Sequence, residues 1–203
     1  SLDATDTTTF SAGATVSLNG LATVTVKALS ALPLAEDSAV RFTSAIDAAE
    51  ITATLAKLTG PTATADVSSM VQAQLEALAA GVSSNRISTP IADDGTTTNV
   101  DEAETTGFTG NLVLDNTYSA EVLGQLTSKY NPNSSGTAVI DADGMSVDRK
   151  TALATNAASI DQITNLDLDK NQTADEIVAL LSAAQAAEVN AAGMSSAQVD
   201  AVA

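Results

Sequence analysis

The sequence predicts an α/β protein: a right-handed β/α solenoid of parallel strands, turning about every 23 residues, with a β-rich N-terminal portion. Three observations predict it. Segments Ala65–Ala79, Ile140–Ala154 and Val189–Ala203 align without gaps around Met70, Met145 and Met194. Each opens with an apolar or small residue and then Asp or Asn, and each carries an Ala-apolar-Ala triplet after the methionine (Ala77-Leu78-Ala79, Ala152-Leu153-Ala154, Ala201-Val202-Ala203). The residues before the Asp or Asn (Ile46, Ala65, Leu114, Ile140, Leu168, Val189), with Ile91 before Ala92-Asp93 dividing the one long gap, recur at a nearly even spacing. After most of them, apolar residues three and four apart mark an amphipathic helix.

In chain order, residues 1–40 read as β-rich coils. Val16, Leu18, Leu21, Val24 and Val26 alternate there, with Gly13 and Gly20 at turns. Pro33 places a bend within Ala31–Glu36. Residues 41–87 read as a β/α repeat pair, with Ile51, Leu55 and Leu58 on one helix and Val71, Leu75, Leu78 and Val82 on the next. Residues 88–112, rich in Thr, Gly and acid, carry no helical face and read as an excursion. Residues 113–203 return to β/α repeats. Asp47 with Glu50, Thr173 with Glu176 and Ser195 with Gln198 fit the capping box, and Ser119 and Ser146 are candidate caps. Strands separated by helices imply parallel pairing through crossovers. The last repeat stops within its helix and the chain opens on Ser1, so the reading expects a piece of a longer polypeptide.

Composition narrows function. The chain holds 25 Asp plus Glu against 8 Lys plus Arg, a net charge of −17. That opposes binding to nucleic acid or anionic lipid, both of which need clustered cations. No apolar run approaches the ~18 residues of a membrane-spanning helix. Cys and His are absent, which removes disulfides, thiolate chemistry, His bases and triads. The five aromatic residues, Phe10, Phe42, Phe108, Tyr118 and Tyr130, are scattered singly and make no sugar platform. No Gly-rich phosphate loop occurs. The expectation is a protein that is not an enzyme.

The acids after the strands are the candidate site. Stacked carboxylates repel, and Ca²⁺ neutralises them with six to eight oxygens. Asp141 and Asp143, and Asp167-x-Asp169-x-Asn171, are the candidate ligands; the latter run resembles the start of a calcium loop, without its later Gly and Glu. Helix capping and Asx turns account for the same residues without an ion. The repeated methionines read as packing at strand-to-helix corners. Thr5–Thr9 and Thr96–Thr98 read as β propensity, with a flat ice-binding or glycosylated face as the alternative.

The period resembles that of leucine-rich-repeat horseshoes. The chain lacks their L-x-x-L-x-L strand and Asn ladder, so their peptide-binding role is not carried over. The Ala/Thr/Asp/Val-rich composition and repeats such as Val189-Asn190-Ala191-Ala192-Gly193-Met194-Ser195 resemble repetitive secreted bacterial surface proteins of the S-layer or giant-adhesin type. That resemblance implies an extracellular, cell-surface location, assembly with calcium, and partners that are copies of the chain or further repeats. The leading expectation is a structural, self-assembling surface protein. The alternatives are an adhesin or ligand-binding module using residues 88–112, with an extracellular glycan as partner, and a polysaccharide-active enzyme.

Overall fold

The computed structural model describes residues 40–90, 106–132 and 134–203. The expected β-rich N-terminal coils, the bend near Pro33, the Ile91 marker and both Thr-rich stretches lie outside the described residues. The chain divides into two compact units, one through Gly110 with residues 133–135, the other Asn111–Pro132 with Gly136–Ala203.

The first unit contains β1 (Val40–Phe42), α1 (Ala48–Leu55), β2 (Ala63–Asp66), α2 (Gln72–Ser83) and β3 (Phe108–Thr109). Its three strands form one parallel sheet in the order β1-β2-β3. The side chains alternate inward and outward, as a pleated strand requires: Val40 and Phe42 are buried and Arg41 is half-exposed between them. Ile51, Leu55, Leu75 and Leu78 close over the sheet from the helices. The strand marked at Ile46 forms earlier, at β1, and Ile46 itself is buried in the turn that enters α1.

The second unit contains β4 (Leu112–Leu114), α3 (Ala120–Lys129), β5 (Ala138–Asp141), α4 (Val147–Thr155), a 3-10 turn (Ala157–Ser159), β6 (Gln162–Thr164), β7 (Leu166–Leu168), α5 (Ala174–Ala183), β8 (Ala187–Val189) and α6 (Ser196–Val202). Its strands make two parallel sheets, β4-β5-β6 and β7-β8. A bridge from Ile163 to Ala184 links β6 to the chain entering β8.

The expected continuous solenoid is therefore corrected. Parallel pairing and strand-helix alternation are present, but the strands lie in three separate short sheets rather than one ladder of equivalent rungs. The repeating block is two β/α units, β-α-β-α, closed in the first two blocks by a third strand. After each third strand stands a residue with positive φ, Gly110 (φ 81) or Asn165 (φ 52). Left-handed backbone breaks the extended run, so the next strand begins a new sheet. At Gly110 a Cβ would stand 2.3 Å from both Asp66 Oδ1 and Ser68 Oγ, which leaves room for glycine alone.

The two closing strands match in detail. Thr109 accepts the Val67 amide at its carbonyl (2.9 Å), as Thr164 accepts that of Ala142 (2.9 Å). The Thr109 hydroxyl donates to the Ala65 carbonyl (3.4 Å) and the Thr164 hydroxyl to that of Ile140 (3.3 Å). At the other end, Ser88 donates its amide to Ala63, as Asp161 does to Ala138. Ser88 to Thr109 spans 21 positions (109 − 88) and Asp161 to Thr164 spans 3 (164 − 161), so the first block carries 18 extra residues within its third strand. The Ser88 hydroxyl accepts the Gly107 amide at 3.1 Å and ties the ends of this insertion together. Of the expected excursion 88–112, residues 91–105 lie outside the described residues, and Phe108, Thr109 and Leu112 belong to strands.

Candidate functional site

The acids after the strands build turns. The Oδ1 atoms of Asp66, Asp115, Asp141, Asp169 and Asn190 accept the amide two residues on, at Ser68 (3.1 Å), Thr117 (2.9 Å), Asp143 (3.2 Å), Asn171 (2.8 Å) and Ala192 (3.1 Å). This is the Asx turn, and it reverses the chain from strand into helix. Helix caps follow. Thr173 and Ser195 form capping boxes with Glu176 and Gln198; Asp47 and Ser119 accept the amides of Glu50 and Val122. Ser146 takes the N-cap position of α4 without a capping bond from its side chain. The N-cap of α2 is Val71, which has no acceptor; there Gln74 Oε1 reaches back to the Val71 amide at 2.9 Å.

Four of the five candidate calcium ligands, Asp141, Asp167, Asp169 and Asn171, have side-chain hydrogen bonds or an ion pair. Asp141 also accepts the Asn165 side-chain amide at 2.9 Å. That bond first, and the Asp143 amide second, hold its carboxyl below the usual Asp value. Asp169 accepts the Asn171 side-chain amide on Oδ2 at 3.0 Å as well as its backbone amide. Asp167 is paired with Lys150 Nζ at 2.7 Å. Asp143 and Asp167 line one open cleft of about 740 Å³, with Gly144, Asn165, Leu166 and Glu188, while Asp141, Asp169 and Asn171 are not among its lining residues. Among the described residues no three or more acids converge on one point where an ion would sit.

Three donors that sequence reasoning missed link the helices of each block. Each is the fourth residue after a repeated methionine, and each reaches the residue just before the N-cap of the preceding helix. Gln74 Nε2 donates to the Ser44 carbonyl at 3.2 Å and to that of Ile46. Arg149 Nε donates to the Tyr118 carbonyl at 2.7 Å. Gln198 Nε2 donates to the Lys170 carbonyl at 3.1 Å and to that of Gln172. The methionines thus mark the second helix of each block. Ser69, Gly144 and Gly193, the residues before them, all have positive φ (60, 63 and 79), which the first helices do not share. The methionine alignment already set Gln74, Arg149 and Gln198 in one column. What it lacked was the carbonyl they serve.

Lys150 was missed too. It stands at the inward fourth position past its N-cap, where α2 has Leu75, and it is 4% exposed. Its Nζ donates to the backbone carbonyl (2.8 Å) and carboxylate (2.7 Å) of Asp167, joining α4 to β7.

The third block differs in burial. Val189 on β8 is 41% exposed, whereas its counterparts Ala65 and Ile140 are fully buried. Val199 on α6 is 42% exposed, against 3% for Leu75, and no residue of α6 is buried. Among the described residues no third strand lies on β8.

Described aromatic residues Phe42, Phe108, Tyr118 and Tyr130 are all buried and serve the core. No described helix is long and apolar enough to cross a membrane. Compared with protein-family models, with curated proteins and with solved structures, the chain shows no match.

Proposed function

We propose that this chain is a structural, self-assembling module of an extracellular surface array, joined to like modules rather than turning over a substrate. The single observation that carries the reading is the repeat itself: one β-α-β-α block recurs three times among the described residues, each time with an Asx turn at the end of its second strand and a side chain of its second helix bonded to a carbonyl ahead of its first. Blocks of one kind in series bury their apolar faces against like neighbours, which suits assembly from like modules. The absence of His and Cys from the sequence agrees with a role without thiolate or His-based catalysis. Calcium enters this reading as a counter-ion for a chain with a net charge of −17. Screening or bridging of that charge lets copies approach.

The test is sedimentation velocity across a wide protein concentration range, with calcium and with a chelator. Reversible growth in mass with concentration, stronger with calcium, is the expected result. A monomer under every condition overturns the reading. Growth in mass that a chelator leaves unchanged retains assembly and removes calcium from it.

A further inference from the structure

We infer that Asn171 is the acceptor for an N-linked glycan, the site being the triplet Asn171-Gln172-Thr173 in the turn that enters α5. The substrate class is an oligosaccharide carried on a lipid diphosphate and delivered by a membrane transferase. The inference rests on the extracellular reading, because such transfer takes place beyond the cytosol.

The triplet has the acceptor pattern: asparagine, a residue other than proline, then threonine. Such a pattern is usable only on the surface, and the structure puts this one in an exposed turn. Asn171 and Thr173 are both exposed. Gln172 between them is 2% exposed and anchors the turn by accepting the Asp169 amide at 2.8 Å.

The fold does not require asparagine at this corner. In each Asx turn the backbone amide of this position makes the bond, and the equivalent residues are Ser68, Thr117, Asp143 and Ala192. The Asn171 side chain adds one exposed contact, from Nδ2 to Asp169 Oδ2 at 3.0 Å. An amide nitrogen carries two hydrogens, so a sugar replaces one and leaves the other to donate. Thr173 has a structural duty as well, since its hydroxyl accepts the Glu176 amide at 3.2 Å and caps α5. The sequence holds a second triplet, Asn133-Ser134-Ser135, but Asn133 lies outside the described residues, so the argument from placement applies to Asn171.

In the transfer, a bond forms between Asn171 Nδ2 and the anomeric carbon of the first sugar. The bond from that carbon to the diphosphate oxygen breaks, and the lipid diphosphate leaves. One amide proton passes to a base of the transferase, and nothing is oxidised or reduced.

The experiment uses the chain recovered from its natural source, with cell fractionation and mass spectrometry of the peptide spanning Asn171. A glycopeptide whose fragments retain sugar on Asn171 is expected. Asn171→Gln is expected to remove the added mass. Thr173→Asp is expected to remove it too, although Asn171 remains, because the hydroxyl is lost while an N-cap acceptor is kept. Added mass that survives either change, or sugar confined to a Ser or Thr of the same peptide, overturns the inference. Bare Asn171 in chain recovered outside the cell overturns the site and leaves the extracellular reading standing. Bare Asn171 in chain found only inside the cell overturns both.

Discussion

Lys150 and Asp167 offer a sharp test because removing either partner has different consequences. The lysine is 4% exposed on the inner face of α4, and both of its protein acceptors belong to Asp167. The Asp167 side chain is 60% exposed. Water therefore competes for the carboxylate, and the pair stabilises far less than an enclosed one. Replacing Asp167 by Asn removes the countercharge but keeps an acceptor, and leaves a buried ammonium with only neutral oxygens. A cost of roughly 1–2 kcal/mol follows, the lower part of the range for hydrogen bonds to charged groups, since solvent reaches one side. Lys150→Met keeps the volume and removes the charge from a position that is Leu75 in the first block and Val199 in the third. Well-packed apolar replacement of a buried charge is neutral or stabilising by about 1 kcal/mol or more. Lys150→Ala loses the packing as well and costs roughly 2–3 kcal/mol. Urea unfolding followed by far-UV circular dichroism, with amide exchange of α4 to locate the change, measures all three. The expected order of stability is Met, wild type, Asn, Ala. If Met proves as destabilising as Ala, the lysine charge is a net source of stability and the reasoning fails.

Other consequences follow from particular contacts. Gln74→Ala strips the buried Ile46 carbonyl and the part-buried Ser44 carbonyl of their donor and is expected to cost about 1–3 kcal/mol, whereas Gln198→Ala, on the uncovered α6, costs less than about 1 kcal/mol; equal costs in thermal unfolding would contradict the burial argument. Gly124→Ala lies within α3 with its nearest neighbour, Ala152 Cβ, at 3.7 Å, so it raises stability by roughly 0.5–1 kcal/mol, while Gly110→Ala, at φ 81 with contacts of 2.3 Å, lowers it by more than about 1 kcal/mol. Chemical denaturation of the two variants checks the opposite signs. Glu176 is held below its ordinary value of 4.5 first by the Thr151 side chain and then by the Thr173 amide, and Asp141 below 3.8 by Asn165 and Asp143. A depressed folded value gives stability that is fully present above the unfolded pKa and is lost as pH falls through the folded one, so both contributions fade as pH falls from the ordinary values of 4.5 and 3.8 through the lower folded ones. NMR titration is expected to show the Glu176 carboxyl moving up in Thr151→Val and the Asp141 carboxyl moving up in Asn165→Ala; unmoved titrations would remove these bonds from the account.

The local signals were legible. An Asp or Asn after an apolar or small residue predicted the reversal from strand toward helix, and Thr173 with Glu176 and Ser195 with Gln198 predicted caps that form as written. These are bonds between residues two or three apart, which sequence shows directly. The long-range organisation was not legible at the same level. Periodicity treated every unit as equivalent, yet the sheet breaks depend on the sign of φ at Gly110 and Asn165, and Asn165 carries no mark that separates it from an ordinary strand-end residue. The 18 extra residues in the third strand of the first block looked like a loop between repeats because the rest of that strand, Phe108-Thr109, is two residues long. Of the candidate ligands, the turn-forming role of Asp141 and Asp169 was readable from sequence. The pairing of Asp167 with Lys150 was not, because a lysine in an apolar helix face gives no sign of where its ammonium points.

Backbone exchange at three equivalent amides tests the block organisation most directly. Val67 and Ala142 donate to the third-strand carbonyls of Thr109 and Thr164, both at 2.9 Å, and Ala191 holds the same place beside β8 without such a strand among the described residues. The account predicts slow exchange at Val67 and Ala142 and exchange at Ala191 faster by at least about a hundredfold in dilute monomer, an opening difference of about 3 kcal/mol. Equal protection at all three positions in the monomer would contradict it, because the third edge would then already be closed.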